Sequence, residues 1–215
     1  MGIPERRERE RQERRDAIVG AASRVFLRKG LSQATMEDIA REAELSKGAL
    51  YLYFKNKDEL FLNIALAALA DFDELIARVA QSDRAPAEKV RELLVEYLRY
   101  AGENQSRFQV AMGWLVPNYS VGDESPLFEE YQQAVQRVFD ASLKVLKEAV
   151  SAGELVLVSS AERTWLQCWG ALFGLLIIEN SRDEIERRIA LEKPGVEGLA
   201  QDFIETFMGA LAPAK

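Results

Sequence analysis

Histidine is absent from this 215-residue chain, and cysteine occurs once. Without imidazole there is no Ser-His-Asp triad, no Cys-His dyad and no zinc site that depends on histidine. A single thiol builds neither an intrachain disulfide nor a four-thiolate centre. Any metal would have to rest on oxygen ligands, which restricts it to Mg²⁺ or Ca²⁺. No metal ligand set and no cofactor is expected. Long hydrophobic runs are also missing. The longest, Ala171 to Ile178, is closed by Glu179, Asn180, Arg182 and Asp183, far short of the ~20 residues that span a bilayer. Met1 to Asp16 is almost wholly charged and has no apolar segment of the kind a secretory signal needs. The expectation is a soluble cytoplasmic protein. Acidic residues outnumber basic ones, 35 against 28, for a net charge of −7, which by itself argues against nucleic acid as a partner.

What remains is helical. Ala, Leu, Glu and Arg are abundant, while only six prolines and thirteen glycines interrupt the chain. The one stretch suggestive of a strand, Leu155 to Val158, lies between Gly153 and Ser159 with no partner segment in view. It reads as a connector. A first helix carries Ile18, Ala21, Ala22, Val25 and Phe26 at i, i+3, i+4, i+7 and i+8, and stops at Arg28-Lys29-Gly30. Thr35 then caps a helix that buries Met36, Ile39, Ala40 and Ala43, with Glu37 and Asp38 in its first turn. Ser46 caps a third helix to about Tyr53, and Asn56 caps a fourth that is apolar from Leu60 to Val79. Further helices are expected from Pro86 to about Ala101, from about Arg107 to Leu115, and from Ser125-Pro126 to Ala152-Gly153. Two more run from Ser159 to about Asn180, with Ser159 to Glu162 as a capping box, and from Pro194 to about Leu211. The fold class is all-α.

Residues 35–54 hold two short helices, Thr35 to Ala43 and Ser46 to Phe54, separated by a break of two or three residues, the outline of a helix-turn-helix. An αα-corner inside a bundle has the same outline. Three features favour the DNA-binding reading. Residues 1–60 hold 13 Lys+Arg against 11 Asp+Glu, whereas residues 61–215 hold 15 against 24. In the second short helix, Leu50 and Phe54 can pack inward, which leaves Lys47, Gly48, Ala49 and Tyr51 on or beside the other face. Small residues allow close approach to base edges, and Lys and Tyr supply donors. Gly48 in a first turn costs up to ~1 kcal/mol relative to alanine, so it suggests a partner. Lys57 and the amides following Asn56 could clamp a phosphate.

The segments Thr35-Met36-Glu37-Asp38-Ile39-Ala40, Ser46-Lys47-Gly48-Ala49-Leu50-Tyr51 and Tyr53-Phe54-Lys55-Asn56-Lys57-Asp58-Glu59-Leu60 resemble the DNA-binding domain of the tetracycline-repressor (TetR) family. The resemblance covers about residues 11–65. It implies an N-terminal three-helix helix-turn-helix domain, residues 1–56, and a larger helical ligand-binding and dimerisation domain, residues 57–215. It implies a cytoplasmic homodimeric repressor that binds double-stranded operator DNA and releases it when a small molecule binds. By the same resemblance Lys47, Gly48 and Ala49 approach bases, Thr35, Ser46, Tyr51, Tyr53 and Lys57 contact the backbone, and Leu45, Leu50 and Phe54 are buried. Glu44 departs from the family pattern, which usually has glycine there; with a positive φ it would be strained.

Residues 6–15 hold six arginines and three glutamates. Two readings are open: an arm that follows the DNA backbone or enters the minor groove, and a solvated helical extension with i,i+4 ion pairs. Beyond residue 60, Tyr97, Tyr100, Phe108, Met112, Trp114, Trp165, Cys168, Trp169 and Phe173 form apolar clusters. Such stripes are more often core than ligand box; Trp114, Trp165 and Cys168 are the expected pocket residues, with Gln109, Asn118 and Gln167 as polar neighbours. The Ser159 to Asn180 helix is apolar on nearly every side. With the last helix it is expected to form a four-helix dimer interface, with Gly170 and Gly174 allowing close approach. An enzyme using Asp71, Asp73 and Glu74 for Mg²⁺ is disfavoured, because no second acidic cluster accompanies them. The remaining alternative keeps the fold and the DNA but has no small-molecule inducer.

Overall fold

The computed structural model describes residues 3–112, 126–189 and 198–213. Among these residues there are ten helices and no strand. They are α1 (Ile3–Lys29), α2 (Met36–Glu42), α3 (Lys47–Tyr51), α4 (Lys57–Ala80), α5 (Pro86–Glu103), α6 (Gln105–Met112), α7 (Pro126–Ser151), α8 (Ala161–Asn180), α9 (Arg182–Arg188) and α10 (Leu199–Leu211). The all-α expectation holds. Two compact units are present: Met1–Asp71 with Asn104–Gln136, and Phe72–Glu103 with Arg137–Lys215.

In the first unit α1 packs on α2 and on α6, and α2 packs on α3. The expected stripe of α1 is its core face, since Ile18, Ala21, Ala22, Val25 and Phe26 are all buried. The helix ends where Gly30 takes φ 75° and its amide donates to the Phe26 carbonyl at 2.9 Å, an ordinary role for glycine just past a helix. Met36, Ile39 and Ala40 of α2, Leu50 of α3, and Phe54, Leu60, Phe61 and Ile64 close the core against it. Ala43 and Leu45 are only half-buried. They sit at the turn, where one side of each residue faces water.

In the second unit α10 packs on α5 and α8. Phe72 stacks on Tyr97 (centroids 5.5 Å apart) and lies 4.6 Å from Tyr100. These aromatics are core, as their helical spacing suggested. The 155–158 segment is a connector that tethers α10: the Val156 amide donates to the Leu211 carbonyl at 2.8 Å. Several boundaries and one whole helix differ from the sequence reading. Helix α3 stops at Tyr51, with Leu52 as its C-cap. Helix α6 starts at Gln105. Ser160, not Ser159, caps α8: its Oγ accepts from the Arg163 amide at 3.3 Å, while the Ser159 hydroxyl lies 3.2 Å from Thr164 Oγ1. Helix α9 had not been expected at all. The last helix starts at Leu199, after Gly198 with φ 77°, rather than at Pro194, and the end of α6 and Pro194 itself lie outside the described residues.

The apolar character of α8 resolves into two stripes. Trp165, Cys168, Leu172 and Leu176, at i, i+3, i+7 and i+11, are buried. One residue along, Leu166, Trp169, Phe173 and Ile177 repeat the spacing on another face. Leu166 and Ile177 are about half exposed, at 51% and 48%, and Trp169 and Phe173 stack with centroids 6.2 Å apart. Phe203 and Phe207 of α10 stack likewise, at 5.7 Å. A Cβ added at Gly170 or Gly174 would meet open space.

Candidate nucleic-acid interface

Local chemistry builds the two-helix motif. Thr35 Oγ1 accepts from the Asp38 amide at 3.1 Å, and Asp38 Oδ2 accepts from the Thr35 amide at 3.3 Å, a reciprocal capping box. Ser46 Oγ accepts from the Ala49 amide at 3.1 Å. Between the helices the Leu45 amide donates to the Ala40 carbonyl at 2.8 Å and the Glu44 amide to the Arg41 carbonyl at 3.2 Å. These are the two bonds of a Schellman turn, which requires a left-handed residue after the cap. That residue is Glu44, with φ 55°, the one non-glycine residue with positive φ among those described. A side chain here strains the backbone by about 1 kcal/mol relative to glycine. Glu44 itself is exposed.

Helix α2 is tied to α1 by ion pairs. Arg24 Nε and Arg28 Nη2 reach opposite oxygens of Glu42 at 2.7 and 2.6 Å, and Lys29 meets Asp38 Oδ1 at 2.7 Å, where Arg41 of α2 itself also pairs at 2.6 Å. The hydrogen bonds from Arg28 and then Arg24 hold the Glu42 carboxyl down at about 2. Those from Lys29 and then Thr35 hold Asp38 at about 2. Because both acids are easier to ionise in the folded chain, their contribution is present above the ordinary carboxylate range and is lost as pH falls from about 4.5 to about 2. Glu42→Gln is expected to lower the melting temperature at pH 7 and to have a much smaller effect near pH 2. A circular-dichroism melt at each pH checks this, and a gap that stays constant with pH would remove the ion pairs from the account.

The exit of α3 is held by Arg15. Its guanidinium lies 4.3 Å from the centroid of the Phe54 ring, donates to the Tyr53 carbonyl at 3.3 Å and donates to Asn63 Oδ1 at 2.7 Å. Asn56 Oδ1 caps α4 by accepting from the Glu59 amide at 2.8 Å, and Glu59 Oε2 accepts from the Lys55 amide at 2.7 Å.

The outer face of this frame carries most of the residues singled out from the sequence. Thr35, Ser46, Lys47, Gly48 and Tyr51 are exposed, Ala49 and Tyr53 are half-buried, and a Cβ added at Gly48 would meet open space. Thr35 and Ser46 also spend their hydroxyls as caps. Lys57 is half-buried and its Nζ donates to the Ser32 carbonyl at 3.2 Å, bracing the turn after α1. The sequence reading missed Leu52, 79% exposed beside Tyr51. Its position two residues after buried Leu50, over half a helical turn away, was the available signal. Arg15 was missed too, as one of six arginines in a charged run.

Trp165 and Cys168 belong to the second unit. Trp165 Nε1 donates to Ser142 Oγ at 2.9 Å, and Cys168 is buried, its thiol pushed up to about 12 by desolvation. A cleft of ≈ 190 Å³ in this unit is lined by α5, α8 and α10 residues including Leu98, Leu176, Glu179 and Gln201, and does not include them. Trp114 and Asn118 lie outside the described residues. Among the described residues no group of acids could hold a metal ion, and no helix is long and apolar enough to cross a membrane.

A capped helix-turn-helix braced by a long N-terminal helix, on an all-α frame, defines a helix-turn-helix regulator. A family model of bacterial regulatory proteins, tetR family, matches residues 18–64, and a model of the tetracyclin repressor-like C-terminal domain matches residues 90–183. The chain is 30% identical to the HTH-type transcriptional repressor BepR of Brucella suis biovar 1 (strain 1330) over 155 residues, 71% of this chain and 74% of the relative. It is 30% identical to the HTH-type nicotine-responsive transcriptional repressor HdnoR of Paenarthrobacter nicotinovorans over 145 residues, 65% of this chain and 74% of the relative. The solved structure of a tetR-family regulatory protein from Rhodococcus RHA1 superposes with a TM-score of 0.72 at 20% identity, covering 94% of this chain and 98% of that one, a shared fold. The chain belongs to the TetR family of bacterial transcriptional regulators. Its function is DNA binding and transcription regulation, and the family is not one of enzymes.

Proposed function

We propose that the protein is a homodimeric, ligand-responsive repressor whose head, residues 1–56, inserts α3 into the major groove of an operator half-site. The observation that carries this is the outer face of α3: a helix of five residues, capped by Ser46 and anchored by buried Leu50, that leaves Lys47, Gly48 and Tyr51 exposed. Lys47 and the small pair Gly48 and Ala49 meet base edges. Tyr51, Tyr53, Thr35, Ser46 and the region of Lys57 meet the backbone, with Lys57 having to leave or share the Ser32 carbonyl. The named relatives BepR and HdnoR are both repressors, which favours repression here.

Dimerisation is assigned to α8 and α10, and the effector site to residues 57–215. Trp165 and Cys168 on the inner stripe of α8, with Trp114, are the proposed pocket residues. Among the structural relatives, FadR from Bacillus subtilis was solved with stearoyl-CoA and SmeT with triclosan, which supports a small-molecule effector. Effector binding releases DNA only if the effector has a higher affinity for the DNA-incompetent state.

The test begins by selecting, from genomic fragments, the duplex that the full-length protein retains. Lys47→Ala should weaken binding to that duplex by about 5- to 160-fold, the 1–3 kcal/mol of a base contact, with the melting temperature unchanged. Full affinity in this variant would remove Lys47 from base reading.

A further inference from the structure

The N-terminal third of α1 has two unlike faces. Residues 5–14 are all exposed, so about 15 Å of helix, at 1.5 Å per residue, extends beyond the packed head. One side is internally neutralised: Arg6 pairs with Glu10 at 2.8 Å, Arg9 with Glu13 at 3.5 Å, and Gln12 donates to Asp16 at 2.9 Å. Such pairs hold a solvated helix together by ~0.2–0.5 kcal/mol each. The other side carries Arg7, Arg11 and Arg14 at i, i+4 and i+7, which make no ion pair or side-chain hydrogen bond among the described residues. Glu8 borders this stripe.

The direction of the stripe follows from helical periodicity. Arg7, Arg11 and Arg14 continue the line of Ile18, Ala21 and Val25, the buried inner face of the same helix. Arg15 sits beside that line and reaches the Tyr53 carbonyl and the Phe54 ring, just beyond α3. The free arginines therefore project from the side of α1 that holds the exit of α3. Arg7 to Arg14 spans about 10.5 Å along the helix, about three of the 3.4 Å axial repeats at which one DNA strand presents phosphates.

We infer that Arg7, Arg11 and Arg14 form a phosphate-binding stripe that grips the DNA backbone beside the base pairs contacted by α3, and adds affinity without adding sequence preference. The inference rests on the DNA-binding reading of α3. It resolves the two readings of the arm into one structure: a helical extension held rigid by ion pairs on one face and aimed at DNA by the other.

The test uses the full-length chain with R7Q/R11Q/R14Q and, as a control on the neutralised face, R6Q/R9Q. Both are measured on the selected duplex with its natural flanks and on the same duplex cut back to the base pairs beneath the two recognition helices. Three lost phosphate contacts should flatten the plot of log K against log salt by about 2.7 per protomer, so that between 50 and 200 mM salt the wild type loses about 40-fold more affinity per protomer than the triple variant. The difference should vanish on the trimmed duplex. R6Q/R9Q should leave the slope of the wild type in place, and the preference for operator over random duplex should survive in both variants. An unchanged slope in the triple variant, with Lys47→Ala still defective, overturns the stripe and leaves the DNA reading intact. A wild type that retains no duplex at 50 mM salt overturns the DNA reading itself. Equal far-ultraviolet circular dichroism and melting temperature show that the variants are folded, which is expected because none of these side chains packs on the head.

Discussion

Phe54→Ala is expected to destabilise the protein by about 3–5 kcal/mol and to abolish operator binding. The ring is 1% exposed and packs in the core beneath the motif. Truncation leaves a cavity that Arg15 cannot move in to fill, because its guanidinium is held by two hydrogen bonds, to the Tyr53 carbonyl and to Asn63 Oδ1. The functional loss follows from position. Phe54 donates its amide to the Leu50 carbonyl at 3.1 Å and comes two residues after the C-cap of α3. When this anchor is gone, α3, with only five residues, has too few internal hydrogen bonds to persist in place. Phe54→Leu, which keeps most of the volume, should cost about 1–1.5 kcal/mol and retain measurable binding. Urea denaturation and a gel-shift titration read the two effects. A truncated variant that melts and binds like the wild type would show that α3 is positioned by something other than this anchor.

Leu166→Asp combined with Ile177→Asp is expected to convert a dimer into a folded monomer. Each dimer would carry four of these side chains, and removing a buried Leu or Ile from an interface loses ~1.5–3 kcal/mol; a carboxylate left there without a partner adds a desolvation penalty. The inner stripe of α8, Trp165, Cys168, Leu172 and Leu176, is untouched, so the helical circular-dichroism signal should persist. Loss of the second head removes the effective-concentration advantage of two linked sites, and operator affinity should fall by ~10²–10⁴-fold. Sedimentation velocity at micromolar protein measures the first effect and a salt-matched binding titration the second. A dimer that survives both substitutions places the interface elsewhere.

Several parts of the interface were legible in the sequence because their chemistry is local. The capping box of Thr35 and Asp38, the Ser46 cap and the Gly30 stop each depend on groups within four residues of one another. The departure at Glu44 was equally local. A Schellman turn demands a left-handed residue whatever its identity, and Glu44 takes φ 55°. By contrast, α9 escaped notice because Arg182–Arg188 has no apolar stripe and buries no residue; it is sustained by pairs such as Arg182–Glu186 at 3.1 Å. The choice between Ser159 and Ser160 as the α8 cap was also ambiguous, since both are hydroxyls one residue apart. It turns on Ser159 lying instead against Thr164.

The amino-acid sequence by itself determined the all-α class, the order of the long helices, the two-helix motif and the separation of a basic head from an acidic body. Each of these depends on periodicity, on capping within a turn, or on simple counts of charge. The tertiary structure alone decided how the long charged side chains are used. Arg15 and Lys57 looked, in sequence, like members of a basic surface. Folding brings Arg15 to Tyr53, Phe54 and Asn63, and brings Lys57 to the Ser32 carbonyl 25 residues away, so both brace the frame. Arg24 and Arg28 are likewise spent on Glu42. A flexible cation selects its partner from whatever lies within its reach, and that set of neighbours exists only once distant segments have packed together.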